Sequence, residues 1–293
     1  MPKQFLHMLI VTSIILCCAL SIGCVADWPA SPLYEPPEND PGWIPPATEA
    51  EAMDAIEGLY AHYDIVAYLS DSPGGPMRTF IISYGFTEFG SDGCNLVEFD
   101  RFCHAEQISN QPFVSTFSDE ATQAIQPRSA VVALSQEDGA WTKLERPFTP
   151  TLIGIQGDPD APIPTTREDY DAQSDYTMFD DDNDGNPGVT VGIVLYGFIK
   201  GEIYIARREI FRSNLTLYSN GELFGNVVDQ SEQLVYDASL EILKGSNNPD
   251  QYVGDGPDYG LNPVILVPVS DEIDTCEELM ANRDDYFPPE PTF

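Results

Sequence analysis

The sequence predicts an all-β protein: one mostly antiparallel sheet, closed into a barrel or strongly coiled, with short helices that include one near the C-terminus. A two-sheet β-sandwich is the alternative architecture. Three observations carry this prediction. Residues 58–69 alternate strictly, with Leu59, Ala61, Tyr63, Ile65, Ala67 and Leu69 on one face and Tyr60, His62, Asp64, Val66 and Tyr68 on the other. Segments rich in Val, Ile, Tyr and Phe recur along the chain, separated by frequent turn signals. Helical patterns are few and short, and no repeat of 20–50 residues is visible.

The elements follow in order. Thr48 and Glu51 form a capping-box pattern that opens a short helix running to about Glu57. The alternating strand from Gly58 ends at the loop Asp71–Pro76. Strands are predicted at Thr79–Phe89 and Leu96–Ile108, turning at Ser91-Asp92-Gly93. Ser118-Asp119-Glu120 starts a short helix that Pro127 ends. Short strands are predicted at Ser129–Leu134, Trp141–Leu144 and Leu152–Ile155. A long acidic loop, 158–188, precedes a strong hairpin of Gly188–Ile199 and Glu202–Phe211 turning at Lys200-Gly201. Further strands are expected at Leu215–Tyr218, Leu223–Val228 and Pro263–Val269. A helix over Asp271–Asn282, acidic at its start and followed by Arg283, completes the β domain of residues 48–287, and 288–293 form a tail.

The 293 residues suffice for a sizeable core, and a hydrophobic content of 42% argues against general disorder. Forty-eight acidic residues against 13 basic give a formal net charge of −35. Such a surface repels nucleic-acid phosphate, so nucleic acid is excluded as a partner, and it attracts cations.

The N-terminus carries an address. Met1 and Lys3 are followed by the uncharged apolar run Met8–Ile22, too short to span a bilayer but suited to a signal peptide over residues 1–23. The run closes on Leu20-Ser21-Ile22-Gly23-Cys24, which resembles the lipobox of bacterial lipoproteins; Ser21 stands where leucine is usual, with Leu20 beside it. The resemblance implies cleavage after Gly23 and acylation of Cys24, hence attachment to a membrane of the bacterial cell envelope. Val25 in place of an aspartate favours the outer membrane. Residues 24–47 contain seven prolines and are expected to form an extended tether.

Export into an oxidising compartment makes one disulfide expected among Cys94, Cys103 and Cys276, with three pairings open. Cys94–Cys103 would close a small loop, whereas Cys276 could pin the C-terminal segment to the body.

Residues 180–188 hold the pattern Asp180-x-Asp182-x-Asp184-Gly185. Carboxylates at alternate positions can converge on a hard cation while the glycine turns the chain. The pattern resembles the first half of an EF-hand loop and the aspartate loops of thrombospondin type 3 repeats and dockerins. That resemblance implies side-chain ligation of structural calcium by Asp180, Asp182 and Asp184, with the Asn186 carbonyl alongside. The twelfth position is Val191 and a strand follows, so a complete EF-hand is rejected; Glu168 and Asp175 are candidates for the missing ligands. The wider run Asp180–Val191, with Tyr204-x-x-x-Arg208, the tether and Cys276, resembles uncharacterised bacterial lipoproteins and implies no activity.

No G-x-S-x-G, H-E-x-x-H, P-loop or G-x-G-x-x-G is present. His62 reads as a satisfied sheet histidine. His104 adjoins Cys103, but alternation along a strand separates them. The expectation is therefore a lipid-anchored, non-enzymatic envelope or surface interaction module, with a protein partner. One alternative is a barrel whose interior, lined by aromatics such as Tyr60 and Tyr68, binds a small apolar ligand. The other is a hydrolase with an unrecognised site.

Overall fold

A computed structural model describes residues 26–72, 75–172, 175–245, 250–254, 259–270 and 273–293. The signal segment and Cys24 lie outside these residues. Alternation does shape the first half. Strand β1 (Gly58–Ser72) pairs without interruption with β2 (Gly75–Ser91), from Gly58 opposite Phe89 to Ser72 opposite Gly75. Strand β3 (Leu96–Ser109) returns beside β2. There follow β4 (Phe113–Phe117), β5 (Ala130–Glu137), β6 (Ala140–Ile153), the short β7 (Ile155–Gln156) and β8 (Thr177–Met178), β9 (Val189–Leu195), and the long β10 (Ile199–Leu217). β11 (Leu223–Asp229), β12 (Glu232–Ala238), β13 (Asp250–Gln251) and β14 (Pro263–Pro268) complete the strands. The helices are α1 (Glu49–Ile56), α2 (Asp119–Gln123), α3 (Arg167–Ala172), α4 (Cys276–Ala281) and α5 (Arg283–Tyr286).

The sheet closes on itself. Its order runs β11-β14-β1-β2-β3-β5-β6-β10, and β10 pairs back to β11, so eight antiparallel strands make a ring in which β3 meets β5 only over Leu96–Glu98. The ring is not a clean barrel. The first part of β10, Ile199–Ile205, pairs with β9; β4 adds beyond β9, and β12 also joins β10 there. Helix α1 has the capping box read from Thr48 and Glu51 and sends Ala52 and Ile56 into the inner apolar cluster, closing the end where β1 begins.

Both faces of β1 are buried. Tyr60, Val66 and Tyr68 face inward with Leu96, Leu144, Leu215 and Leu266. Ala61, Tyr63, Ile65 and Ala67 face outward against Phe80, Ile82, Tyr84 and Phe86. The outer face is covered by both ends of the chain. Trp28 stacks on Tyr252 at 4.8 Å, Phe293 stacks on Phe80 at 5.0 Å, and Phe287 stacks on Tyr63 at 5.3 Å. Residues 26–47 lie along the domain. Proline fixes the extended path, but Trp28, Tyr34 and Trp43 between the prolines supply apolar anchors. Residues 288–293 are likewise seated, with Tyr34 Oη donating to the Pro289 carbonyl and Tyr84 Oη to Glu290.

Several boundaries differ from expectation for local reasons. The hairpin turns at Tyr196-Gly197-Phe198, since Ile199 pairs with Leu195 and both Tyr196 (φ 53°) and Gly197 (φ 74°) are left-handed; Lys200-Gly201 is strand. β6 is one strand through Pro147 because Pro147-Phe148 sit at a bulge, where no ladder donor is needed. β4 and β12 were not anticipated. The C-terminal helix begins at Cys276, capped by Thr275 and Glu278; residues 271–272 lie outside those described.

A disulfide joins Cys103 to Cys276, and Cys94 is a free, exposed thiol. Cys103 is the extra residue of a bulge, since Tyr84 pairs with His104 and Gly85 with Phe102. Only glycine fits at 85, where a Cβ would lie 2.2 Å from the Arg101 carbonyl oxygen. The bond closes a loop across a separation of 173 residues. The Cys103→Ala/Cys276→Ala double variant is expected to lose about 2–5 kcal/mol in denaturant unfolding, with Cys94→Ser unchanged.

Candidate functional site

Inward positions of the ring line a cavity of about 140 Å³. That volume is close to the roughly 150 Å³ engineered cavity known to hold benzene. Apolar side chains such as Val66, Ile81, Phe102, Ile153, Ile205 and Phe211 make most of its wall. The alternation sets which residues reach it, and bulges reset the phase. Along β3 the lining residues are Glu98, Asp100 and Phe102, then Ala105, because the bulge at Cys103 skips one position. His104 is thereby turned outward beside Tyr84, where its Nδ1 meets Asp119 at 2.7 Å. Cys103 is held by its disulfide, so no Cys–His pair forms.

Charged side chains project into the same space from four strands. His62 Nε2 meets Asp64 Oδ2 at 2.8 Å, and His62 Nδ1 meets Thr87 Oγ1 at 2.7 Å. Thr87 Oγ1 donates to Asp100 Oδ1 at 2.7 Å. Arg146 lies 3.1 Å from Glu98 and 3.5 Å from Asp100. A second group faces the first. Arg207 pairs with Glu209 at 2.8 Å, Ser231 donates to Glu209, and the Tyr68 hydroxyl donates to Asp229.

The electrostatics follow from burial. Desolvation pulls the His62 pKa down, but the hydrogen bond and charge of Asp64, with the charge of Asp100, outweigh it and leave the value raised. Burial, then the charge of Asp100, pushes Glu98 well above the carboxylate range against the opposing pull of Arg146. Glu98 is only 5% exposed, and its Oε2 has no hydrogen-bond partner. A buried acceptor without a donor is costly unless something else supplies one.

The Thr87–His62–Asp64 chain has the order of a nucleophile, a base and an orienting acid. Its hydrogen-bond directions do not suit deprotonation of Thr87. Thr87 is fully buried and its proton goes to Asp100, so its oxygen accepts from His62 Nδ1–H. A nitrogen that donates to the hydroxyl has no lone pair with which to deprotonate it.

The acidic loop lies outside the ring. One oxygen from each of Asp180, Asp182 and Asp184 falls within 4.8 Å of the other two, an arrangement that could hold a metal ion. Glu168 and Asp175 do not join this group. Backbone N–H groups wrap the carboxylates: Asp184 and Gly185 donate to Asp180, Asn186 to Asp184, and Thr190 to Asp182. The Asn186 side-chain amide donates to Asp184 Oδ2 at 3.0 Å. Asp182 Oδ1 is buried with no hydrogen-bond partner, and burial followed by the charge of Asp184 helps to raise the Asp182 pKa. Asp181 points the other way and accepts from the Gly154 N–H. Gly154 (φ 71°) and Gly188 (φ 89°) let the loop close on β10, where a Cβ on either would strike the Ile205 carbonyl oxygen.

Protein-family models, curated proteins and solved structures were compared with the chain, and none matches it. The metal candidate was legible because its aspartates are neighbours in sequence. The inner network was not, because β1, β2, β3 and β6 each contribute to it. The available cue was His62 and Asp64 on the Tyr60 face of β1, now seen to be the interior.

Folding raises the proton affinity of both His62 and Glu98. The His62 contribution is full below its ordinary value of 6.5 and is lost as pH rises through the raised folded value. Glu98 acts with the same sign from 4.5 upward. The melting temperature is therefore expected to fall as pH rises above 6.5, and His62→Gln to flatten that slope in thermal scans across pH.

Proposed function

We propose that the protein is a lipid-anchored binding protein of the bacterial envelope. Its ring interior holds a small ligand with an apolar body and a basic or hydrogen-bond-donating end. The observation that carries this reading is the cavity itself, apolar over most of its wall, with the unpartnered Glu98 Oε2 buried in it. Four acids, Asp64, Glu98, Asp100 and Glu209, line it with three basic side chains, His62, Arg146 and Arg207, so the preference for a donating end rests on Glu98 Oε2 and not on the net charge of the lining. An ammonium group would donate to Glu98 and stabilise its ionised form. The anchor is supported by Leu20–Cys24 in the sequence.

Thermal shift tests the cavity. Small aryl and alkyl amines are expected to raise the melting temperature, and carboxylates of the same shape are not. At ten times Kd the gain is about 1.4 kcal/mol, and Glu98→Gln should abolish it. A series in which amines and carboxylates behave alike would sink the reading.

The same proposal gives the acidic loop a structural calcium. Three carboxylates meet there, and Asp182 Oδ1 lacks a donor, so the donor set suits a hard cation. The ion would brace the start of β9. Millimolar calcium after EDTA is expected to raise the melting temperature by an amount that Asp182→Ala removes. An equal response in both proteins, or none, would leave a hydrated loop.

A further inference from the structure

One end of the ring gathers the β1–β2 turn, the end of β3, the Tyr196–Phe198 turn and the end of β12. The registers fix this: Ser72 pairs with Gly75, Thr79 with Ser109, Phe113 with Leu195, and Ile203 with Ala238. Eleven large apolar side chains are exposed among the described residues. Six of them lie within four residues of these strand ends: Leu69, Val114, Tyr196, Phe198, Leu240 and Ile242. Phe198 is 75% exposed and Ile242 73%. The described chain begins at the same end. The Ala26 carbonyl accepts from Asn110 Nδ2 at 2.9 Å, and Asp27 pairs with Arg78 at 2.9 Å. Gln111 bonds the Gly75 and Pro76 carbonyls, and the Tyr196 N–H donates to the Pro112 carbonyl, so Ala26 and the Tyr196 turn share one rim.

We propose that this rim docks on the phospholipid surface, with Tyr196, Phe198 and the Leu240–Ile242 segment entering the interfacial layer. The inference rests on the acylation of Cys24 proposed above. Cys24 is two residues from the pinned Ala26, and two residues span about 7 Å at most. The acyl chains therefore leave the protein beside the rim, and the bilayer surface lies within reach of its apolar side chains. The chemistry fits that layer: Tyr and Phe flank a tight turn, and the exposed Lys200 follows two residues later. Glu241 lies between Leu240 and Ile242 and pairs with Lys244, so its charge is matched within the segment that docks.

The test uses the full chain, expressed with its own signal in a bacterial host and carrying Cys94→Ser. Phe198→Cys, or Phe99→Cys at the opposite end, receives an environment-sensitive dye. Each protein is reconstituted in phosphatidylethanolamine–phosphatidylglycerol vesicles containing a spin-labelled lipid quencher. Quenching about twofold or more stronger at 198 than at 99 is expected for an interfacial site. Mass spectrometry of the N-terminal peptide reads the anchor separately. Acylated Cys24 with equal quenching at both positions overturns the rim and leaves the anchor standing. A Cys24 peptide without acyl mass overturns both. Self-association in solution that Tyr196→Ser/Phe198→Ser abolishes, without quenching at 198, also overturns the rim and assigns it to a second copy of the chain.

Discussion

Charge buried inside a closed ring of strands has to be matched within it, and the rest of the structure is arranged around that requirement. A residue facing inward from β1 cannot turn to solvent, because β2 and β14 hold its strand on both sides. His62 and Asp64 are committed to the interior, and Asp100 and Arg146 are placed to balance them. The two bulges serve the same end. One shifts β3 so that Ala105 faces inward in place of His104; the other shifts β6 so that Arg146 and Thr149 both face the cavity. The network thus selects the register of the ring as much as the ring creates the network.

Enclosure inside creates a second need outside. Apolar burial is divided between the interior and the outer face of β1 and β2. That face is covered in part by Trp28, Tyr34, Phe287 and Phe293, with Tyr252 and Leu261 beside them. The disulfide from the β3 bulge to α4 fixes one of these covers at its root. An eight-strand ring with a terminal overlay is thus one cooperative body, and the proline-rich segment belongs to it.

What the sequence discloses depends on how far apart the partners are. β1, β2 and β3 are legible because a strand with two distinct faces writes its period into adjacent residues, as from Leu59 to Leu69. Helix α1 is legible because Thr48 and Glu51 satisfy each other within one turn. Asp180, Asp182 and Asp184 are legible for the same reason of proximity. The hairpin turn was misplaced because Tyr196 takes a left-handed conformation that its side chain does not advertise, whereas Lys200-Gly201 looks like a turn and is not one. Pro147 sits within a strand at a bulge, and the proline-rich segment is held down by its aromatic residues. The Glu98–Arg146 pairing spans β3 and β6, and nothing local marks it.

The overlay also sets a schedule. Any chain delivered N-terminus first presents Trp28 long before Tyr252 and Phe293 exist to receive it. Until Phe287 and Phe293 arrive, part of the outer face of β1 and β2 is uncovered beside an unclosed ring, since β11 and β14 come late as well. The ring and its cover can therefore form only after most of the chain has been delivered, and the half-delivered chain is a natural client for whatever holds unfolded proteins apart. Phe293 is among the last of these parts to arrive, and its contacts with Trp28 and Phe80 bring early and late segments together.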